Sequence, residues 1–252
     1  MTVTITSLLL ANNLWWEGPA FVIAFGVFLG QLLVGFTNDL TDYQDDLKHN
    51  RQNKPLVSRQ ITTLQLQRAI KIFAPIAVVV NIAGPLGIKG GLIYLFGVGM
   101  GISYNLYFKS TLLSPLPYAI AFSALVSCIV VATDRRPPLW LITAAALLGV
   151  AAHFANVLKD LDQDLTSGIK GLPQRLGKKY SRIIVSLLLI STTLLLNHTQ
   201  PNTPLLVIGL IASVITSFAP NKTMFTCLMI TAVIDLIFLL NASGAEIGSS
   251  VT

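Results

Sequence analysis

The sequence predicts an all-α integral membrane protein, a single bundle of about eight transmembrane helices. Hydrophobic residues make up 53% of the 252 residues and charged residues only 11%, and the mean hydropathy is +0.70. Soluble domains carry about 25% charged residues, so the composition indicates the multi-pass membrane class. Because no stretch has the composition of a linker or of a soluble unit, we expect residues 1–252 to form one domain.

Eight apolar stretches are long enough to cross a bilayer, which takes roughly 17–25 helical residues. The first sixteen residues are too short to span and lack the features of a signal peptide. We expect them to form a short interfacial segment anchored by Trp15 and Trp16. The apolar stretches lie at about 19–38, 69–88, 91–108, 115–132, 138–158, 181–197, 204–219 and 223–241.

The basic residues are sorted by side of the membrane, so the net charge of +6 does not indicate a nucleic-acid partner. Eleven of the seventeen lie in two connections, 38–68 and 159–182. The positive-inside rule places both connections in the cytoplasm. With no transit peptide in a short chain, a prokaryotic plasma membrane is the expected location, surrounded by membrane lipids.

A first acidic cluster follows the first apolar stretch. On a helix at 100° per residue its polar side chains share an arc of about 120°. One helix face therefore carries the charge. The side chains are those of Asn38, Asp39, Asp42, Asp45 and Asp46.

A second acidic cluster follows the stretch that ends near 158. Asp160 and Asp164 share a helix face with Asn156, whereas Asp162 points away and is expected to be solvated or salt-bridged. Seven of the eleven acidic residues belong to the two clusters. Carboxylates in a bilayer cost roughly 2.5–3.5 kcal/mol at a helix centre and less near the interface, so both clusters indicate a functional site.

Carboxylates on two helices with Lys and Arg nearby are typical of a site for Mg²⁺ and phosphate. Mg²⁺ is usually held by one or two carboxylates together with substrate phosphates. Basic residues then meet the remaining phosphate charge. The chain has no GxxxxGK[ST] loop, so a lipid-like diphosphate is favoured over a nucleotide. An isoprenyl diphosphate fits, with its tail between the helices.

Longer motifs around both clusters resemble the UbiA superfamily of intramembrane prenyltransferases. NDLTDYQDD at 38–46 resembles the first aspartate motif of that family, and DLDQD at 160–164 resembles the second. KPLVS at 54–58 resembles the RPLxS that follows the first motif, and GIKGLP at 168–173 resembles the GxKxLP that follows the second. YNLYFK at 104–109 lies where the family has a Tyr-containing helix end with a basic residue. The resemblance covers nearly the whole chain.

The resemblance implies a bundle around a central cavity in which Mg²⁺ bridges aspartates and the diphosphate of an isoprenyl diphosphate donor. Loss of diphosphate gives an allylic cation that alkylates an aromatic or lipid acceptor, which makes the chain a prenyltransferase of isoprenoid biosynthesis. The implied catalytic residues are Asp39, Asp42, Asp160 and Asp164. The implied metal ligands are Asn38, Asp39, Asp42, Asp46, Asp160 and Asp164. The implied substrate-binding residues are Lys48, Arg51, Lys54, Tyr104, Lys109, Asn156 and Lys170.

The chain departs from the family pattern in three places. The family usually has nine helices, but only 37 residues precede Asn38, so the first helix is expected to be short or missing. Lys54 replaces an Arg, which exchanges a bidentate fork for a point charge. Arg59 stands where a Gly is common.

Two alternatives to prenyl transfer remain open. A terpene cyclase of the same superfamily needs no acceptor site, and a short first helix favours it. A divalent-cation transporter would use the aspartates as an ion pathway, but such pathways usually place acidic groups near the bilayer midplane. Both clusters instead follow the ends of apolar stretches.

Three smaller signals concern single residues. Asp45 lies on the charged arc but off the family motif, so we expect it to support the site. His153 is expected to be a hydrogen-bonded structural residue. Asp235 stands alone in the last apolar stretch, where it is expensive, and is expected to contact a partner helix or line the cavity.

Overall fold

The computed structural model describes residues 2–14, 17–199, 201–241 and 249–250, which form nine α-helices. A π-helical turn, Tyr104–Phe108, extends the fourth helix, and strands β1 (Arg135–Arg136) and β2 (Ser249–Ser250) pair antiparallel. The all-α class is confirmed. The helices are α1 (Thr2–Leu14), α2 (Glu17–Lys48), α3 (Thr63–Ala83), α4 (Gly87–Ser103), α5 (Leu116–Val131), α6 (Leu139–Thr166), α7 (Leu172–Thr199), α8 (Thr203–Phe218) and α9 (Asn221–Asn241).

All eight expected helices are present. Five helices of the described chain are long and apolar enough to cross a membrane: α2, α3, α4 with its π-helical turn, α6 and α7. The apolar helices α5 and α8 have 16 residues each, about 24 Å at 1.5 Å per residue. Large side chains such as Phe21, Phe96, Leu139 and Phe218 are exposed on the bundle, as a lipid-facing surface requires.

The N-terminal segment forms a packed helix, so the expectation of an interfacial segment is wrong. The side chains of Ser7, Leu10 and Ala11 in α1 are fully buried, and α1 packs against α2, α5 and α9. Its burial comes from tertiary contacts that hydropathy cannot reveal. The first helix of the bundle is therefore short rather than missing, while Trp15 and Trp16 lie outside the described residues.

Glycines on α2 allow α3 and α4 to approach closely. Asn81 of α3 donates a hydrogen bond to the carbonyl of Gly26 at 3.3 Å, and the Tyr94 hydroxyl of α4 donates to the carbonyl of Val27 at 2.9 Å. A Cβ atom at Gly26 or Gly30 would overlap Asn81 or Tyr94. Small residues four apart typically bring membrane helices together. This packing holds the helix that carries the first aspartate motif.

The helices α2 and α6 continue well past their apolar stretches. They have 32 and 28 residues and end at Lys48 and Thr166. Both aspartate motifs therefore lie on helical extensions at the same end of the bundle. The helix after α2 is α3, which begins at Thr63 rather than near 69 because Thr62 and Gln65 form a capping box.

Candidate active site

The two aspartate motifs line one polar cavity of about 530 Å³ at the ends of α2 and α6. Asn38 and Asp42 come from α2, and Asp160 and Asp164 come from α6. The loop at 49–54 and the basic end of the π-helical turn complete the wall. Segments far apart in the chain thus meet around one volume.

Each aspartate of the first motif has a cationic partner. The Lys109 Nζ lies 2.7 Å from both carboxylate oxygens of Asp42, and the Lys54 Nζ lies 2.7 Å from Asp39. Asp46 is 1% exposed and lies 3.1 Å from Arg51 and 3.9 Å from Lys54. The negative charge of this motif is therefore compensated within the protein.

Lys54 lies in the loop after α2, outside the membrane-spanning helices. Burial disfavours its charged form, but the hydrogen bond and charge of Asp39, with the charges of Asp46 and Asp42, outweigh burial and raise the pKa of Lys54 above its ordinary value. Lys54 is consequently positive throughout the neutral pH range. Its ammonium group is suited to an anionic ligand.

In the second motif Asp164 is held by a side-chain amide group rather than by an ion pair. The Gln174 Nε2 donates to Asp164 Oδ2 at 2.9 Å. Within the described residues neither Asp160 nor Asp164 has a Lys, Arg or His nitrogen within 4.0 Å. The neighbouring Gln163 accepts a hydrogen bond from Arg51 at 2.8 Å, which joins the first trailing loop to α6.

The loop that trails the second motif packs against the end of the π-helical turn. A Cβ atom at Gly171 would lie 2.6 Å from the carbonyl oxygen of Lys109, so the backbone needs glycine there. The Ser114 hydroxyl accepts from the Leu172 N–H at 3.1 Å and is hydrogen-bonded to His153 at 3.0 Å. These contacts position Lys109 and the loop together. His153, 1% exposed, is a hydrogen-bonded structural residue as expected.

Two tyrosines separate the polar cavity from apolar space. Tyr104 and Tyr118 line both the polar cavity and an apolar pocket of about 170 Å³, and their rings meet edge to face at 5.0 Å. Phe122 and Leu125 line this pocket and also a third cavity of about 340 Å³. The site therefore changes from charged to apolar across one aromatic layer, and aromatic faces can stabilise a nearby cation.

Most of the residues expected from the sequence meet in the polar cavity, and four do not line it. Asp39 and Asp46 face Lys54 and Arg51 instead, while Lys48 and Lys170 are exposed. Those lining the cavity are Asn38, Asp42, Arg51, Lys54, Tyr104, Lys109, Asn156, Asp160 and Asp164.

Sequence reasoning missed several residues of the site. Lys159, Gln163 and Tyr118 line the cavity, and Gln174 orients Asp164. Gln163 and Gln174 have a signal in the sequence, since each stands directly beside a motif residue. Tyr118 is one of several aromatic residues that the sequence offers for a cavity wall, and only the packing of α5 shows that it joins Tyr104 there.

The aspartates outside the family motif behave as expected. The Asp162 side chain is 77% exposed and pairs with Lys178 at 2.8 Å. Asp45 lies 3.6 Å from His49, which lines the cavity. Neither carboxylate lines the cavity itself.

The donor set suits Mg²⁺, which prefers carboxylate and amide oxygens. Among the described residues, however, no three His, Cys, Asp or Glu side chains lie close enough to hold an ion by themselves. Sites of this kind take further oxygens from substrate phosphates and water. The residues therefore fit Mg²⁺ as one component of a site that a diphosphate completes.

Fold and site together define a class: a membrane helix bundle whose polar cavity leads into apolar chambers, suited to a lipophilic substrate with an anionic head. Residues 1–236 match the UbiA prenyltransferase family, and the chain belongs to that family. It is a membrane-embedded prenyltransferase enzyme. The expected membership of the UbiA family is thereby confirmed.

Solved structures share this fold. The apo structure of a UbiA homologue from Aeropyrum pernix K1 superposes with a TM-score of 0.76 at 16% identity, covering 94% of this chain and 96% of that one. A homologue from Archaeoglobus fulgidus bound to GPP and Mg²⁺ gives 0.65 at 16% identity, covering 94% and 97%. A digeranylgeranylglyceryl phosphate synthase gives 0.65 at 18% identity, covering 94% and 90%. A comparison with curated protein sequences found no significant match.

Proposed function

We propose that the protein transfers an isoprenyl group from an isoprenyl diphosphate to an aromatic or lipid acceptor and releases diphosphate in a Mg²⁺-dependent reaction. The observation that carries the proposal is the polar cavity, where aspartates of both motifs meet Arg51, Lys54 and Lys109 beside apolar space. The Archaeoglobus fulgidus homologue bound to GPP and Mg²⁺ supports this choice of donor and ion.

The lysines of the cavity serve the diphosphate. Lys109 and Lys54 are bound to Asp42 and Asp39 at 2.7 Å. When Asp42 takes the metal as partner, the Lys109 ammonium group becomes available for charge-assisted hydrogen bonds to phosphate oxygens, while Lys54 meets the diphosphate from the cavity wall with Asp39 still beside it. Bound Mg²⁺ supplies charge neutralisation that helps the diphosphate leave. Asp42, Asp160 and Asp164 are the ligands we assign to it.

The aromatic layer and the apolar pockets serve the isoprenyl group. With the diphosphate in the polar cavity, the reacting carbon lies near Tyr104 and Tyr118, which line the boundary. Their rings stabilise positive charge without attacking it. The tail extends into the adjoining pocket of about 170 Å³, whose lining is mostly apolar.

Transfer is favoured over cyclisation because the first helix is present. Val3 of α1 lines both apolar chambers. The first helix therefore supplies the part of the cavity wall that was in doubt from the sequence. The likeness to digeranylgeranylglyceryl phosphate synthase supports a lipid among the candidate acceptors. By the positive-inside rule the polar cavity faces the cytoplasm, in a prokaryotic plasma membrane.

The test is diphosphate release from geranyl, farnesyl and geranylgeranyl diphosphate by the purified protein, with and without Mg²⁺. Aromatic and glycerol-phosphate acceptors are added in turn and products are identified by mass. We expect Mg²⁺-dependent release and a product mass of prenyl plus acceptor. Release without any acceptor, giving a cyclic hydrocarbon, would instead establish a cyclase.

A matched pair of variants tests the site on one helix. Asp160→Ala is expected to lower turnover by at least about 100-fold, as loss of a group that stabilises transition-state charge does. Asp162→Ala is the control, because Asp162 is exposed and pairs only with Lys178 in the described structure. Equal turnover in the two variants would remove Asp160 from the proposed metal site.

A further inference from the structure

The cavity of about 340 Å³ lies in the half of the bundle away from the aspartate motifs. It is lined by Leu141, Ala144 and Ala145 near the start of α6, whereas Asp160 and Asp164 stand near its end. Helices α1, α5, α7 and α9 complete its wall. Ligand pockets in proteins measure roughly 300–1,000 Å³, so the cavity is large enough for a small lipophilic molecule.

One carboxyl group stands in this wall, which is otherwise apolar apart from the hydroxyl group of Thr6 on α1. Asp235 of α9 lines the cavity and is 1% exposed. Its Oδ1 accepts a hydrogen bond from the Thr193 hydroxyl of α7 at 2.9 Å. Its Oδ2 is buried and has no hydrogen-bond partner among the described residues. Asp235 therefore does both things expected of it, contacting a partner helix and lining a cavity.

The unpaired Oδ2 atom of Asp235 destabilises the protein in the absence of a ligand. A buried polar atom without a partner destabilises the protein, because it has lost its hydrogen bond to water and gained none in return. The residues around Asp235 in the cavity, such as Ala232, Leu236 and Leu228, offer no side-chain hydrogen-bonding group. A leucine at 235 would avoid the cost, so the free carboxyl oxygen is best explained as a contact for a ligand.

The chemistry of the ligand follows from the two protonation states of the carboxyl group. An ionised Asp235 needs a donor at Oδ2, and a protonated one offers a donor there. A hydroxyl group satisfies both states, because it donates and accepts. The remaining wall is apolar apart from Thr6, so the body of the ligand is hydrocarbon.

The route of entry is from the bilayer. Val233, one turn from Leu236 on α9, lines the cavity and is 47% exposed on the lipid-facing side of the bundle. At Val233 a single side chain borders both the cavity and the lipid-facing surface, so the shortest route from the bilayer does not pass the polar cavity. We propose that it binds a lipophilic alcohol or phenol from the bilayer, with the hydroxyl group hydrogen-bonded to Asp235.

The site is distinct from the place of the donor tail. Val3, Phe122 and Leu125 border both this cavity and the pocket beside Tyr104, so the two volumes are neighbours. An isoprenyl tail ends in hydrocarbon and would leave Asp235 Oδ2 unpaired. The inference concerns binding only and does not depend on the proposed reaction.

The test uses decanol carrying a diazirine and an alkyne, and the matched decane probe that carries the same two groups but no hydroxyl. Both are photolysed with the purified full chain in detergent, and labelled peptides are mapped by mass spectrometry. We expect the alcohol to label the cavity-lining parts of α6 and α9 about five- to tenfold more than the decane probe, as one hydrogen bond allows. Equal labelling by the two probes would overturn the proposal without any variant.

Variants at one position sharpen the result. Asp235→Asn keeps an acceptor for Thr193 and a donor for the ligand, so the preference for the alcohol is expected to remain. Asp235→Leu is expected to abolish the preference while labelling by the decane probe persists. An undiminished preference in Asp235→Leu would contradict the assignment. Displacement of the alcohol by geranylgeranyl diphosphate with Mg²⁺ would make the cavity part of the donor site instead.

Discussion

The two aspartate motifs look alike in sequence but are held differently in the structure. In the first motif, Asp42 pairs with Lys109 at 2.7 Å and Asp46 lies 3.1 Å from Arg51. In the second motif, Asp164 accepts from Gln174 and, within the described residues, has no cationic side chain within 4.0 Å. The first motif is compensated by ion pairs, whereas the second has cations only at longer range, Lys109 and Arg51 acting on Asp164.

This difference assigns separate roles to similar residues. The ion pairs of the first motif hold the trailing loop and Lys109 in place without any ligand. The carboxylates of the second motif have only more distant cations, with Lys109 and Arg51 acting on Asp164 from beyond ion-pair distance, so a bound cation would add most of their favourable electrostatics. Neutralising each motif should therefore affect turnover alike but stability in opposite ways.

The largest effect is expected from Asp164→Asn. Asparagine can still accept from Gln174 while the charge disappears, so turnover should fall by at least about 100-fold. The metal-free protein should unfold at the same or a higher temperature, because a carboxylate without an ion pair has been removed. Steady-state diphosphate release and thermal unfolding in detergent measure the two quantities. A clear loss of thermal stability of Asp164→Asn without Mg²⁺ would contradict the difference drawn between the two motifs.

Lys109→Met is expected to lower stability through the first motif, the opposite of the effect expected from Asp164→Asn in the second. It leaves Asp42 without its cation, so we expect about 1–3 kcal/mol less free energy of unfolding together with a large loss of turnover. Lys178→Met is the control, since the pair of Lys178 with Asp162 is exposed and should contribute less than about 1 kcal/mol. An equal loss of free energy of unfolding in both variants would show that the Lys109–Asp42 pair contributes no more than an exposed ion pair.

Gln174→Leu separates orientation from charge in the second motif. It removes the hydrogen bond to Asp164 and leaves the carboxylate in place, which should cost about 0.5–1.5 kcal/mol. Turnover should fall less than in Asp164→Asn. Gln67→Leu, at an exposed position of α3, is the matched control and is expected to change neither unfolding nor turnover. Unchanged activity in Gln174→Leu would show that Asp164 needs no such support.

The smallest effect concerns the loops that follow the two motifs. Arg59 in the first loop has φ 59°, and Gly168 in the second loop has φ 76°. Both residues are in the left-handed backbone conformation, which costs a non-glycine residue roughly 1–2 kcal/mol. Gly168→Ala should therefore destabilise by about 1 kcal/mol, and Arg59→Gly should change unfolding by less than that, because glycine also gains freedom in the unfolded chain. Thermal unfolding of both variants tests this. Destabilisation by Arg59→Gly beyond about 1 kcal/mol would mean that the Arg59 side chain holds the loop.

Much of the site was predictable because its residues follow a helical period. Asp42, Asp160 and Asp164 meet as the wheel indicates, since α2 and α6 continue as helices beyond the apolar stretches. Lys48 and Lys170 were chosen by charge and nearness in sequence and are exposed. A residue in a loop follows no helical periodicity, so the sequence does not show which way its side chain points.

The sequence by itself determined the membrane class, the helices and both motifs, because hydropathy and helical period are local properties of the chain. The tertiary structure decided which cation pairs with which aspartate, because Lys109 reaches Asp42 only through the packing of α4 against α2. It also decided that α1 is a buried helix and that Asp235 lines a separate cavity. These depend on contacts between distant segments, which no local pattern records.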